Sequence, residues 1–356
     1  MVLIILVAIL LTGVFGKASV NDDSPIRHYA HYDESIPCSL HVIEVDLTAD
    51  EVSIQSTLPV TDGHQVLYGL QPLSGMAEHF ETSSAGINAD FFSFETSYPV
   101  NLHVSDYVPV TTPHRRSVFG ITNTDSLFIS QVDWDASITS DNTETLDIEH
   151  VNALQATGSP TLYTSHFNTP IHTDSTGKAL AFTNDSGNFR PDKPRWLEGE
   201  IETSRYDLLV AIPEQNIQPE SAKLEIRLPP VSKPVSEAVG GGPALISNGN
   251  IIVDEAAEQE GIGRNFVETR HPRTAIGFNS DQTKLYMVVA DGRSDESDGM
   301  SLNELADFML SIGADHAVNL DGGGSTTMLW DGNVINQPSD GSERAIANGL
   351  LIHIDE

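Results

Sequence analysis

One cysteine, Cys38, in 356 residues excludes an intrachain disulfide, so the fold stands on its core. It also excludes a thiolate zinc cluster, and Cys38 itself reads as a structural residue. Basic residues are scarce: 18 Lys and Arg face 51 Asp and Glu, a net charge of −33. A surface of that sign repels polyanions, so nucleic acid is not a partner. An anionic substrate would need a local cluster of arginines to overcome the global field. Long apolar runs are lacking too, with one exception. Residues 2–15 carry no charge, are too short to span a bilayer comfortably, and precede Gly16 and Ala18. They predict a signal peptide over residues 1–18 and a secreted or periplasmic protein, without a stable membrane span after cleavage. An uncleaved N-terminal anchor is the competing reading. None of the 13 His residues falls in a His-Glu-x-x-His pattern.

What is present can build a large core: 39% of residues are hydrophobic, with 13 Phe, 8 Tyr and 3 Trp. Residues 40–47 and 51–58 alternate in polarity around Thr48-Ala-Asp50 and read as a β-hairpin. Residues 69–82 predict a short helix capped by Ser74. These elements make residues 19–84 an N-terminal hairpin and helix region. Residues 85–88 predict a strand. Residues 123–237 form a β-rich middle section, its clearest strands at 154–157, 161–164, 208–212 and 224–228. Asn248-Gly249 between two apolar runs predicts a tight hairpin, because both residues accept positive φ. Strands are expected at 274–278 and 285–290. Ser301-Leu-Asn-Glu304 is a capping box opening a helix that Gly313 stops. A strand at 317–320 follows. Residues 285–325 thus read as strand, helix, strand. The predicted class is α+β: a mixed β-sheet core with a few packing helices.

If the strand-helix-strand unit is a right-handed crossover, its strands are parallel, and Asp291-Gly-Arg293 and Asp321-Gly-Gly-Gly324 emerge at one sheet edge. Ligands usually bind at such edges. Three consecutive glycines forgo packing and backbone entropy, which is tolerated where the chain turns tightly or approaches something closely. Other residues at strand ends or turns are Asn88, Asp90, Gly241 within Gly240-Gly-Gly242, Arg273, Arg344 and Asn348. Glu304 is explained by its capping box. Asp133 and Asp135 hint at calcium but lack EF-hand spacing. Calcium is the one cofactor the Asp-rich loops leave open; no metal ligands are assigned.

Taken together, Gly86-Ile-Asn-Ala-Asp-Phe-Phe92, Gly240-Gly-Gly-Pro-Ala-Leu245, His271-Pro-Arg-Thr-Ala-Ile-Gly277, Asp291-Gly-Arg293, Gly299-Met-Ser-Leu-Asn-Glu-Leu-Ala306, Asn319-Leu-Asp-Gly-Gly-Gly-Ser-Thr-Thr-Met328, and Arg344 with Asn348-Gly-Leu350 resemble the phosphodiester glycosidase family. The resemblance covers residues 85–356, loosely over 123–237. It implies cleavage of the anomeric C1–O bond of a sugar-1-phosphodiester or phosphorylated polysaccharide. The leaving phosphomonoester is stable as an anion, so such a site needs positive charge and a carboxylate more than strong acid help. Asp321, Asp291 and Asp90 are the catalytic candidates. Substrate contacts are expected from Asn88, Arg273, Arg293, Arg344, Gly241, Gly322, Gly323, Gly324, Ser325, Thr326 and Asn348. Two other readings use the same residues: a non-catalytic module for phosphorylated envelope or exopolysaccharide glycans, and a phosphodiesterase cutting P–O.

Overall fold

A computed structural model describes residues 24–141, 145–154, 158–173, 177–213 and 217–355. The predicted signal peptide, residues 1–18, lies outside them, as does most of the strand expected at 154–157. Among the described residues, no helix is long and apolar enough to cross a membrane.

Strands dominate. The main layer is a seven-stranded sheet in the order Ile26–Asp33, Cys38–Asp46, Lys284–Ala290, Arg273–Phe278, His316–Asn319, Ala244–Ser247, Asn250–Ile251. Its central strands are buried on both faces, so they read as continuous apolar runs. Leu285, Met287 and Val289 point into one core, while Tyr286, Val288 and Ala290 point into another. Each fully buried Leu, Met or Val among them contributes about 1.5–3 kcal/mol.

The second core is roofed by helices. Ser301 accepts from the Glu304 N–H at 3.3 Å and the Glu304 carboxylate accepts from the Ser301 N–H at 2.9 Å, so the capping box forms as read. The helix Leu302–Ser311 buries Leu302, Leu305, Ala306 and Met309, one stripe at helical spacing. Gly313 follows at φ +105. Two further helices, Val253–Gln259 and Arg264–Glu268, have no counterpart in the sequence reading.

The first core is closed by two five-stranded sheets. One runs Asn333–Val334, Met328–Trp330, Ser83–Asn88, Gly349–Ile354, Val52–Thr57. The other runs Leu127–Gln131, Ser117–Thr122, Val235–Gly240, His103–Ser105, Val108–Thr111. Ile87, Met328, Leu350, Phe119 and Val239 meet Ile276, Met287 and Val318 across the layers. The middle section has its own core around Ile138, Leu162, Phe182 and Val210. It departs from and returns to adjacent strands: Thr122 pairs with Val235, and the Asn123 N–H donates to the Pro234 carbonyl at 2.9 Å.

Two local expectations change. Strands Cys38–Asp46 and Val52–Thr57 form, but not as a hairpin. The first pairs with Lys284–Ala290, the second with Gly349–Ile354, in different layers. Alternating polarity reports burial and not partner, so the intervening turn crosses between sheets instead of folding back. Ser74 lies inside the short helix Leu73–Ala77, whose N-cap is Pro72. Its hydroxyl donates to Glu343 at 2.5 Å. By contrast, Asn248 and Gly249 take φ +50 and +71, and Ala244–Ser247 pairs with Asn250–Ile251 as the Asn-Gly signal requires.

Strand Lys284–Ala290, helix Leu302–Ser311 and strand His316–Asn319 follow in that order. The two strands are not neighbours. Arg273–Phe278 lies between them, antiparallel to each, so they run parallel one strand apart.

Candidate active site

The three sheets bring their strand ends together around Asp90 and Asp321. Asn88 leads from Ser83–Asn88 to Asp90, and Asn319 leads from His316–Asn319 to Asp321. The Asp321 N–H donates to the Ala89 carbonyl at 2.8 Å, and the Asn88 amide donates to the Asp321 carbonyl at 2.7 Å. Asn88 also accepts from the Thr274 hydroxyl at 2.8 Å and the Thr327 N–H at 3.0 Å. It is 1% exposed, so its amide is consumed in tying three strands together. Asn348 does the same for Asp90, accepting its N–H at 2.8 Å. The Asn348 amide faces His103 Nδ1 at 3.1 Å, and His103 Nε2 faces the Ser56 hydroxyl at 3.3 Å. Burial holds His103 down to about 3, so the ring is neutral and accepts at Nδ1.

Asp90 is 2% exposed. Its Oδ2 accepts the Asn101 N–H at 2.7 Å, while Oδ1 has no hydrogen-bond partner. Burial pushes its carboxyl up to about 8; the Asn101 N–H and the nearby Arg116 charge oppose this, and the Asp321 charge adds to it. Burial thus favours the protonated form of Asp90, and Oδ1 is the oxygen left without a partner in the protein. Asp321 is pushed less far, to about 6. Burial raises it, while the Ser325 hydroxyl, the Gly322 N–H and the charges of Arg344 and Arg116 hold it down. Burial thus raises both carboxyls, Asp90 further than Asp321, so that Asp321 ionises first and Asp90 holds its proton longer. That is the pattern of an acid and base pair.

Asp291 stands apart. Its strand and that of Asp321 are separated by one other, which puts the two backbones about 10 Å apart at the sheet edge. The Asp291 carboxylate accepts from the Gln337 N–H at 2.9 Å and the Asn336 amide at 3.2 Å, and lies 3.7 Å from His41 Nε2. Its partners link the main layer to the loop after Asn333–Val334. Burial raises its titration, against the donors from Asn336 and Gln337.

The glycines make room for protein groups. A side chain on Gly240 would strike the Asp90 carboxyl and Asn101, and one on Gly241 would lie 2.5 Å from the Asn319 carbonyl. Both neighbours of Gly240 are buried. Gly240→Ala is expected to cost about 1–3 kcal/mol of stability through overpacking, read as a lower denaturation midpoint. In the triple glycine, Gly322 packs on the Pro272 carbonyl, Gly323 (φ +63) under the Arg293 guanidinium, and Gly324 against Arg344 and Asp340. The Gly322 N–H donates to the Asp321 carboxylate at 2.9 Å and that of Gly323 to Pro272 at 2.8 Å, so both are committed within the protein.

The arginines differ in what they have left to offer. Arg273 is 1% exposed, and three of its donors go to the carbonyls of Met300, Phe266 and Thr269 at 2.7–2.9 Å. Its strand position, alternate to Thr274, aims it at the helical layer. Arg344 binds Asp340 at 2.7 Å and donates to the Ser325 hydroxyl at 3.2 Å. Arg293 is exposed, with one nitrogen 3.4 Å from His271 Nδ1. Ser325 and Thr326 are buried behind the glycines, and Thr326 Oγ1 lacks a partner.

Sequence reading missed Asn101, Arg116 and Glu260. None sits in a glycine-rich motif, and each reaches the crevice from elsewhere in the chain. Asn101 is fully buried and its amide donates to the Arg116 carbonyl at 3.3 Å, so it holds both Asp90 and Arg116. Glu260 accepts from the Ser117 hydroxyl at 2.7 Å and from the N–H groups of Ser117 and Ala244 at 3.1 Å each. Asp135 pairs with Arg227 at 3.8 Å. Among the described residues no group of three or more His, Cys, Asp or Glu is arranged to hold a metal. Cys38 is buried with its thiol 3.7 Å from the Asp291 carbonyl, and burial pushes it up to about 11.

Residues 199–353 match the model of a family described as phosphodiester glycosidase. The mouse N-acetylglucosamine-1-phosphodiester alpha-N-acetylglucosaminidase is 34% identical over 120 residues, which are 32% of this chain and 23% of that enzyme. The chain spans less than a quarter of the curated relatives it matches. The zebrafish catalytic domain of the same name, auto-inhibited by its pro-peptide, superposes with a TM-score of 0.56 at 20% identity, over 97% of this chain and 89% of that one. A candidate exported protein of Burkholderia pseudomallei K96243 superposes with a TM-score of 0.63 at 18% identity, over 91% and 74%. These two likenesses are of fold. Over residues 199–353, then, the chain is similar to the phosphodiester glycosidases, and its fold is like that of the zebrafish catalytic domain.

Proposed function

We propose that the protein hydrolyses glycosyl-1-phosphodiesters at the anomeric C1–O bond. The observation that carries this is the Asp90 and Asp321 pair, brought together at the ends of strands from two sheets by the Asp321 N–H on the Ala89 carbonyl at 2.8 Å, with burial raising Asp90 further than Asp321. Ionised Asp321 supplies negative charge to the anomeric carbon, as nucleophile or as base toward water. Asp90, whose buried Oδ1 has no partner in the protein, is the candidate acid toward the departing phosphate oxygen in the bound complex. A neutral Asp90 also spares an anionic substrate the repulsion of a second carboxylate. The C1–O bond breaks with its electron pair on the phosphate, and the oxygen of water ends on the sugar. Arg344, beside Ser325 and the triple glycine, and the exposed Arg293 are placed to meet phosphate oxygens. The buried Arg273, Asn88 and Asn348 frame the site. Asp291 holds its far wall. The residue 2–15 run and the exported protein of like fold support action outside the cytoplasm, on envelope or exopolysaccharide phosphodiesters.

The test is turnover of a panel of sugar-1-phosphodiesters in heavy-oxygen water. Label in the released sugar is the expected result. Label in the phosphate means P–O cleavage and overturns the assignment. Binding without turnover over a long incubation supports the glycan-binding module instead.

A further inference from the structure

We propose that Arg116, on the turn into strand Ser117–Thr122, grips the anionic group of the ligand in this crevice. The proposal rests on the phosphodiester reading and adds the residue that recognises the charge. Four arginines surround the site. Arg273 and Arg344 have most of their donors bound to protein oxygens, and Arg293 abuts His271. Arg116 differs: among the described residues its guanidinium makes no hydrogen bond and no ion pair. Its charge nevertheless reaches Asp90, Asp321 and Glu260, so it lies in the crevice and not on a remote surface. Glu260 is already satisfied by three donors and does not claim it.

The side chain is also held in place. Its Cζ lies 5.1 Å from the centre of the Phe91 ring, next to the Asp90 backbone. Phe91 meets Phe266 edge-on at 6.0 Å, and Phe266 carries Arg273 at 4.7 Å on its own ring. The two arginines thus bracket an aromatic pair. The Phe91 contact holds the guanidinium, and its N–H groups, without a bond to the protein among the described residues, are left for bidentate capture of a phosphate. The backbone is fixed on both sides. Buried Asn101 holds the Arg116 carbonyl and accepts the His114 N–H at 2.6 Å, and Glu260 holds the Ser117 N–H. In a chain of net charge −33, an unpaired guanidinium beside two carboxyls is a local exception that an anion can exploit.

Arg116→Ala and Arg116→Lys test this in the full-length protein, with melting temperature as the fold control. Inorganic phosphate is titrated calorimetrically into each. Arg116→Ala is expected to weaken phosphate binding about 10- to 100-fold, the range for hydrogen bonds to a charged group. Arg116→Lys should recover only part, because an ammonium lacks the bidentate edge. Against a glycosyl phosphodiester, Arg116→Ala should raise KM more than it lowers kcat. Its loss in kcat/KM should exceed by at least about 10-fold the loss on a neutral aryl glycoside of the same sugar. Equal phosphate affinity in wild type and variant, or equal losses on both substrates, overturns the proposal. Should wild type cleave no phosphodiester, the functional reading fails, while phosphate affinity still decides Arg116.

Discussion

Asp321→Asn should abolish sugar release while leaving the protein folded. The expected loss in kcat is about 10³-fold or more, within the span of a positioned acid–base or nucleophilic group. The substitution removes the charge and keeps the shape. An asparagine oxygen can still accept the Gly322 N–H that Asp321 Oδ1 accepts at 2.9 Å. The carbonyl contact with Asn88 and the N–H contact with Ala89 are backbone on the Asp321 side and survive. Unchanged circular dichroism and a melting temperature equal to or above wild type are therefore expected. A half-buried carboxylate raised to about 6 is destabilising when ionised, and the amide is never charged. A variant that keeps more than a tenth of wild-type turnover would remove Asp321 from the chemistry.

Asp90→Asn should act on the other limb of the pH profile. With Asp321 ionised above about 6 and Asp90 protonated below about 8, kcat/KM rises through the first value and falls through the second. The variant cannot lose a proton there, so the alkaline fall should vanish along with about 10²- to 10⁴-fold of the rate. Asparagine still donates a hydrogen bond. A variant with near-normal rate would show that Asp90 only orients the substrate. Stability gives an independent reading. Between the unfolded carboxyl value of 3.8 and about 8, folded Asp90 holds a proton that the unfolded chain has released. Wild-type stability from this group therefore declines as pH rises across that window. The melting temperature of Asp90→Asn should exceed that of wild type more at pH 8.5 than at pH 4.5. A constant difference would remove the burial argument.

The elements legible in sequence were those whose signal is local. The Ser301 capping box, the Asn248-Gly249 turn and the run 285–290 each carry their own geometry within a few residues. The pairing of residues 40–47 with 51–58 was not, because a strand's partner is chosen by layers far away in the chain. At the site, motif reading named the residues at strand ends but not their tasks. Arg273 and Asn88 sit inside conspicuous motifs because the framework needs them, with their donors spent on backbone. Asn101 and Arg116 lie in unremarkable sequence and reach the carboxyls only through the meeting of three sheets. The triple glycine promised close approach, and close approach is what it provides, to the guanidiniums of Arg293 and Arg344.

The junction at Thr122 and Val235 has a consequence for how such a protein can vary. The chain turns at Thr122 into the edge strand Leu127–Gln131, makes its excursion, and rejoins the sheet at Val235 opposite Thr122; the returning strand runs directly to Gly240 against Asp90. Beyond Leu127–Gln131, the stretch up to Pro234 packs mainly around its own core of Ile138, Leu162, Phe182 and Val210 and touches the rest through contacts such as Asn152 with Val110, away from the carboxyls. An excursion can be enlarged, trimmed or exchanged at this seam as at a hairpin tip, so the surroundings of the crevice are free to diverge while its floor is kept.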